Sequence, residues 1–184
     1  FLASIKISLA KTVLNFVFLN LTKPFFRFFS MKLGFKVSLT EDFKTENVAA
    51  IEKGFCNLEK HIENMQQFGL NPVVCINAFP DDTQAEYDKL KELCATKGVS
   101  AIVSTAFAQG GKGSAEVAQK VVEEIEKGTA NYKPLYQPSD SIEHKINVVA
   151  KNIYGANSVE FSPKSKAQLK MINDLGFGHF SICM

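Results

Sequence analysis

The fold is constrained most strongly by two short, largely apolar runs. Each run is followed within a few residues by an aromatic residue and then by residues that start helices. Residues 72–76 form the first run and precede Phe79, whereas residues 99–103 form the second run and precede Phe107. Apolar runs of this length are typical of strands buried on both faces of a parallel sheet. Because ligands bind beyond the carboxyl ends of such strands, the repetition predicts one shared pocket lined by Phe79 and Phe107.

The segments beside these runs carry apolar residues at spacings of three and four, which predicts amphipathic helices. The first helix spans Val48 to about Gly69, and the second follows a capping box formed by Thr83 and Glu86 and stops at Gly98. A third ends at Gly128, and its apolar stripe consists of Ala115, Ala118, Val121, Val122 and Ile125. The sequence therefore predicts an α/β fold, a parallel sheet with flanking helices.

The C-terminal third departs from strict alternation, after a loop with two prolines. A fourth helix is expected from Ser141 to Gly155, a short strand at residues 159–161, and a last helix capped by Ser162. The last helix should turn Leu169, Ile172 and Leu175 inward. Residues 182–184 resemble the beginning of another strand.

Composition favours small-molecule or protein partners. The 184 residues are 46% hydrophobic and 22% charged, as in an ordinary soluble domain. Residues 1–40 hold six basic residues and no acidic one, so the rest of the chain carries 15 basic and 19 acidic residues. A nucleic-acid surface would need clustered Lys and Arg on one face, which this acidic-leaning part does not suggest. The four cysteines lack metal or disulfide spacing, and no metal site is predicted.

Residues 1–40 differ in composition from the rest and are expected to form a separate segment before an α/β portion at residues 41–184. The segment holds eight of the sixteen phenylalanines, begins with Phe1 and has its first methionine at Met31. Two interpretations stay open, a mitochondrial transit-like segment and non-native sequence. A membrane-seeking stretch at residues 2–21 is disfavoured because Lys6 and Lys11 interrupt it.

A glycine-rich loop, Gly110, Gly111, Lys112 and Gly113, lies between the second strand and a helix N-terminus. Unpaired backbone N–H groups and the helix dipole attract anions at such positions, and Lys112 adds a positive charge. The spacing is not that of a Walker A loop, since Gly113 separates Lys112 from Ser114. The loop is therefore interpreted as an anion-friendly site or, alternatively, as a tight turn.

Five segments in the same order resemble the formate–tetrahydrofolate ligase family, also called 10-formyltetrahydrofolate synthetase. They are NLEKHIEN at residues 57–64, INAFPDDT at 76–83, AQGGKG at 108–113, IYGA at 153–156, and GFG followed by ICM within 176–184. Each segment alone is a weak signal, but five in register make chance similarity a poor explanation. The resemblance covers roughly residues 44–184.

The resemblance implies an ATP-dependent ligase of one-carbon metabolism. In this family ATP phosphorylates formate to formyl phosphate, and N10 of tetrahydrofolate attacks the carbonyl carbon to give 10-formyltetrahydrofolate, ADP and phosphate. ATP with Mg is the implied co-substrate, with its site largely outside this chain, and tetrahydrofolate and formate are the substrates. Phosphoryl transfer of this kind needs positioned cations, and the acyl phosphate must be kept from water.

The resemblance also assigns two residues. Phe79 and Phe107 correspond to aromatic residues that sandwich the pterin ring, an arrangement that suits a planar heterocycle. The second position is usually Trp in the family, so Phe107 is a departure. Asp82 and Thr83 are interpreted first as helix caps and second as polar groups at the pocket mouth. Catalytic residues are not identified.

Other implications of the resemblance concern the whole protein. The expected fold is P-loop-NTPase-like, and this chain is expected to be an incomplete C-terminal portion that lacks the P-loop and is inactive alone. A complete member is expected to be a homo-oligomer in the cytoplasm or, alternatively, in mitochondria. No membrane or nucleic-acid partner is expected. The alternative function is a non-catalytic folate-binding or interaction remnant.

Overall fold

The computed structural model describes residues 18–21 and 45–184, which divide into two compact units with the boundary between Tyr132 and Lys133. The boundary falls in the proline-bearing loop where the strand–helix alternation of the sequence stops. Each unit is described by itself below. The predicted division at residue 40 stays a prediction.

The first unit alternates strands and helices. Its elements in chain order are β1 (Phe18–Leu21), α1 (Val48–Gln67), β2 (Val73–Asn77), α2 (Gln84–Thr96), β3 (Ser100–Ser104), α3 (Ala106–Gln109) and α4 (Ala115–Glu126). A tight 3-10 turn, Gly110–Ser114, joins α3 to α4. The α/β prediction is therefore confirmed for this unit.

The three strands form one parallel sheet in the order β1, β2, β3. Phe18 pairs with Val73 at one end, and Asn77 pairs with Ser104 at the other. Residues Val73 to Ile76 of β2 are all buried, as the nearly continuous apolar run predicted. Because the strands are parallel, the residues that follow β2 and β3 emerge at the same edge of the sheet.

The core of the first unit lies where α1 and α2 meet the sheet. Leu58 and Ile62 of α1 and Cys94 of α2 are fully buried, and they belong to one cluster with Val74, Ile76 and Ala101 of the strands. The predicted inward face of α1 is thus confirmed, since its apolar residues at spacings of three and four reach this cluster. Burial raises the pKa of the Cys94 thiol to about 12, so it stays protonated at neutral pH.

Gly69 closes α1 where the sequence predicted. Its φ of 72° is left-handed, and a Cβ there would lie 1.9 Å from the Asn131 carbonyl oxygen. The Asn131 N–H donates to the Gly69 carbonyl oxygen at 2.8 Å, which explains the close approach. Glycine is required here for both conformation and space.

The extent of α4 is confirmed, but the predicted apolar stripe is wrong. Val117 is the buried residue of α4, whereas Val122 is 51% exposed and Ile125 is 37% exposed. Val117 lies on a face shared with Glu124, whose side chain is only 13% exposed and pairs with Lys120 and Lys127. The helix therefore turns a mixed apolar and ion-paired face inward, which a count of apolar residues alone does not detect.

The second unit, residues 133–184, consists of helices and loops, and its described residues form no strand. Its elements are α5 (Ile142–Val148), a π-helical turn (Val149–Ile153), α6 (Pro163–Asp174) and a 3-10 turn (Phe177–His179). The predicted cap at Ser162 is confirmed, because its hydroxyl accepts from the Ser165 N–H at 3.1 Å. The Ser141 hydroxyl caps α5 in the same way and accepts from the His144 N–H at 3.1 Å.

Three predictions for the second unit are wrong. Residues 159–161 form no strand, and neither do residues 182–184. The Ile182 N–H donates to the Tyr136 hydroxyl at 3.2 Å rather than to a neighbouring strand. Leu175 is 60% exposed because it follows the last turn of α6, whereas Leu169 is buried as predicted.

A fully buried lysine organises the second unit. The Lys145 ammonium group on α5 donates to the carbonyl oxygens of Pro138 at 2.8 Å, Gly178 at 2.8 Å and Phe180 at 3.2 Å. Lys145 also lies over the Tyr136 ring, with 5.8 Å between the ammonium nitrogen and the ring centroid. Its three donors are thereby satisfied, as burial of an ammonium group requires.

Within the part of the chain that the structure describes, no helix is both long and apolar enough to cross a membrane.

Candidate functional site at the carboxyl edge of the sheet

Phe79 lies in a tight turn directly after β2. The Ala78 N–H donates to the Ser104 carbonyl oxygen at 2.9 Å and so extends the pairing with β3 by one residue. The Asp82 N–H then donates to the Phe79 carbonyl oxygen at 3.0 Å, which closes a turn with Pro80 at its second position. The Phe79 ring is 37% exposed, so it is not a core residue.

Asp82 fixes the Phe79 backbone from both sides. One Asp82 carboxylate oxygen, Oδ2, accepts from the Phe79 N–H at 2.9 Å, in addition to the main-chain bond that closes the turn. The same oxygen accepts from the Tyr87 hydroxyl at 3.1 Å. The interpretation of Asp82 as a helix cap is therefore wrong, since Asp82 binds the turn and α2 is capped by Thr83.

Tyr87 connects this turn to the core. Its ring packs against the core cluster of the first unit, while its hydroxyl reaches Asp82. Burial, reinforced by the negative charges of Asp82 and Glu86, raises the pKa of Tyr87 to about 12. The phenol is therefore protonated at neutral pH and acts as a hydrogen-bond donor to the carboxylate.

The predicted capping box at the start of α2 is confirmed. The Glu86 N–H donates to the Thr83 hydroxyl at 3.4 Å, and the Thr83 N–H donates to Glu86 Oε2 at 3.2 Å. Glu86 is buried, and its other oxygen accepts from the Asn47 N–H at 2.9 Å. This second bond ties the start of α2 to the start of α1, a contact that the local sequence pattern did not indicate.

Phe107 follows β3 in the short helix α3. Its side chain is 81% exposed, the highest value among the exposed large apolar side chains of the described region. The Gln109 N–H donates to the Thr105 carbonyl oxygen at 2.9 Å, so one helical turn holds the Phe107 backbone. The ring therefore projects from an ordered turn rather than from an irregular loop.

The glycine-rich segment folds back on the end of β3. The Thr105 N–H donates to the Gly113 carbonyl oxygen at 3.0 Å, and a Cβ at Gly113 would lie 2.5 Å from the Thr105 carbonyl carbon. Gly110 has a left-handed φ of 61°. These features explain two of the glycines through the tight turn. Gly111 and Lys112 are exposed, and the role of the segment as an anion-friendly loop stays a prediction.

Polar side chains also lie beneath this loop. The Ser104 hydroxyl is buried, lies 3.3 Å from the Ser114 hydroxyl, and accepts from the Ala106 N–H at 3.4 Å. Burial raises the pKa of the neighbouring Cys75 thiol, and a hydrogen bond with Ser104 partly opposes that shift. These groups stabilise the loop from inside. In the sequence, the only signal for the two hydroxyl groups was that Ser104 ends β3 and Ser114 ends the glycine-rich turn.

The predicted site residues thus fall on two neighbouring strand ends. Asn77 pairs with Ser104, Phe79 comes two residues after the first and Phe107 three residues after the second. The described residues contain no group of three His, Cys, Asp or Glu side chains arranged for a metal ion. The fold and the site define an α/β protein with exposed aromatic rings at the carboxyl edge of a parallel sheet, the usual place for ligands in this class.

Comparison with protein families agrees with that class. The family model of formate–tetrahydrofolate ligase matches residues 5–184. The chain therefore belongs to the formate–tetrahydrofolate ligase family, whose substrates are ATP, tetrahydrofolate and formate. The match begins at residue 5 and so includes most of the basic segment, whereas the motif resemblance began near residue 44.

Proposed function

We propose that this chain forms the tetrahydrofolate-binding part of a formate–tetrahydrofolate ligase, with Phe79 and Phe107 on the two faces of the pterin ring. The observation that carries the proposal is the pair of exposed aromatic rings after neighbouring parallel strands, in a chain that belongs to this family. An exposed ring is costly to leave in water, and a flat heterocycle covers it without requiring hydrogen bonds.

The proposed reaction proceeds through formyl phosphate. ATP supplies the phosphoryl group to formate, and N10 of tetrahydrofolate attacks the carbonyl carbon with loss of phosphate. In this scheme the two rings orient the pterin, so that N10 is presented in one position. The parallel sheet with flanking helices supports the P-loop-NTPase-like fold that the motif resemblance implies.

No described residue is assigned to ATP, formate or magnesium in this proposal. Magnesium would neutralise phosphate charge during phosphoryl transfer, and it prefers carboxylate oxygens in octahedral geometry. The described residues do not offer such a set. The glycine-rich turn with Lys112 is the proposed anion-friendly surface beside the pterin, and it is exposed to solvent.

Binding of tetrahydrofolate to the full chain tests the proposal. Calorimetry should show weaker binding for Phe79→Ala and for Phe107→Ala, each by about 1–3 kcal/mol, or roughly 5- to 150-fold in Kd, as for bases stacked on aromatic side chains. Phe107→Trp should strengthen binding, since a larger ring covers more of the heterocycle. Val122→Ala, which removes an exposed apolar side chain from α4, is the matched control and should leave Kd unchanged.

Unchanged affinity in both alanine variants would remove the rings from the site. The alternative of a non-catalytic folate-binding protein predicts the same binding results, because it uses the same rings. Because no described residue is assigned to ATP, the two are separated in a complete family member in which this chain replaces the corresponding segment. Formation of 10-formyltetrahydrofolate from ATP, formate and tetrahydrofolate is expected there only if the chain is part of a ligase.

A further inference from the structure

The Phe79 turn contains a side-chain hydrogen bond in addition to the main-chain bond that closes it. Both main-chain polar groups of Phe79 bind Asp82, the N–H to the carboxylate at 2.9 Å and the carbonyl oxygen to the main chain at 3.0 Å. Four residues with Pro80 at the second position and the main-chain bond from Asp82 to Phe79 would form a turn without the carboxylate bond. The extra bond removes freedom from the residue whose ring faces the site.

The carboxylate itself is held by an element of the core. Tyr87 lies on α2, its ring packs against the core cluster, and its hydroxyl donates to the same Asp82 oxygen that accepts from Phe79. The high pKa of Tyr87 keeps this donor protonated across the physiological range. A continuous chain of contacts therefore runs from the core through Tyr87 and Asp82 to the backbone of Phe79.

We propose that Asp82 and Tyr87 are positioning residues for tetrahydrofolate, which hold the Phe79 turn so that its ring is already oriented for the pterin. The inference rests on the proposed function, because it assigns to these two residues an effect on binding that acts through Phe79. Neither residue needs to touch the ligand.

The physical reason is the population of the binding-competent ring orientation. When a binding-competent state is populated for only a fraction of the time, the apparent Kd rises in inverse proportion to that fraction. Loss of the carboxylate frees the Phe79 N–H and lets the turn sample other conformations. If the competent fraction falls to about one tenth, Kd rises about tenfold.

Four variants of the full chain test the inference, with tetrahydrofolate titrated by calorimetry. Asp82→Ala should weaken binding about tenfold and Tyr87→Phe about threefold, on the same population argument. Asp82→Asn should largely restore affinity, because its amide oxygen can still accept from the Phe79 N–H. Asp88→Ala removes an exposed carboxylate from α2, the helix that carries Tyr87, and should leave Kd unchanged.

A double-mutant cycle separates positioning from a general structural role. In a Phe79→Ala background the ring is absent, so Asp82→Ala should cause no further loss of affinity. Weakening by the same factor in both backgrounds would overturn the inference. Tyr87→Phe keeps the buried ring and therefore covers the case in which Asp82→Ala does not fold.

The results also distinguish the inference from the function on which it rests. If Phe79→Ala binds tetrahydrofolate as well as the unaltered chain does, the assignment of Phe79 to the pterin site and the positioning role are both wrong. If Phe79→Ala weakens binding but Asp82→Ala and Tyr87→Phe do not, the aromatic site stands and the positioning role alone is overturned.

Discussion

The two units of this chain are stabilised in different ways. The first unit, up to Tyr132, buries a large apolar cluster between two helices and a sheet, and Leu58, Ile62 and Val74 are fully buried there. In the second unit, residues 133–184, the most deeply buried side chain is Lys145, beside a smaller apolar set of Ile142, Ala150 and Leu169.

The difference shows that a small unit can be stabilised either by apolar burial or by hydrogen bonds around a buried polar group. Apolar burial is non-directional and scales with area, so the first unit gains stability from many contacts that are individually replaceable. Hydrogen bonds from a buried charge are directional, and removal of one partner leaves the others unsatisfied. The second unit therefore depends more on a single residue than its apolar content suggests.

The largest effect is expected from a change in the apolar core of the first unit. Leu58→Ala removes a fully buried side chain and should lower the free energy of unfolding by about 2–5 kcal/mol, through lost transfer energy and a residual cavity. Chemical denaturation measures the loss, and hydrogen exchange should locate it in α1, α2 and the strands. Glu52→Ala on the exposed side of α1 is the control. A loss below about 1 kcal/mol would contradict the assignment of this cluster as the core.

A somewhat smaller effect is expected from the polar centre of the second unit. Lys145→Met keeps the length of the side chain but removes three donors, and should cost about 1.5–3 kcal/mol, the usual range for a hydrogen bond to a charged group. Hydrogen exchange of residues 136–184 measures it. Lys166→Met, on the exposed face of α6, is the matched control. Equal protection in both variants would show that apolar contacts alone hold this unit.

The smallest effects are expected from the helix caps. The caps at Thr83 and Ser162 lie one in each unit, so that the two losses of stability can be compared directly. Thr83→Ala and Ser162→Ala should each cost about 1 kcal/mol by removal of a side-chain acceptor at a helix N-terminus. The loss at Thr83 should be the larger, because its box also orders the buried Glu86. Circular dichroism during thermal unfolding measures both, with Gln168→Ala as a control at an exposed position of α6. A larger loss at Ser162 would reverse this order.

Local features of the fold were predictable from the sequence. The capping box of Thr83 and Glu86, the end of α1 near Gly69 and the buried run of β2 all follow from residues within one turn or one strand. Phe79 and Phe107 were predictable as edge residues for the same reason, since each follows its own strand by two or three positions.

Other features depended on contacts that local patterns do not encode. The helical period places Lys145 three residues after Ile142 and so on the inward side, although a lysine is seldom buried without hydrogen-bond partners. Only the carbonyl oxygens of Pro138, Gly178 and Phe180 make its burial possible. Asp82 was misassigned because a carboxylate before a helix resembles a cap, whereas its partners are Phe79 and Tyr87.

The sequence by itself determined the type and order of most elements, because helix periodicity, caps and strand composition act over a few neighbouring residues. It also determined the family, through motifs spread over most of the chain. The tertiary structure alone decided which polar side chains are buried and which polar groups meet, as with Glu86 and Asn47, 39 residues apart, and Lys145 and Phe180, 35 apart. Such pairs form because burial requires every donor and acceptor to find a partner, and the partner is chosen by the packing of distant segments.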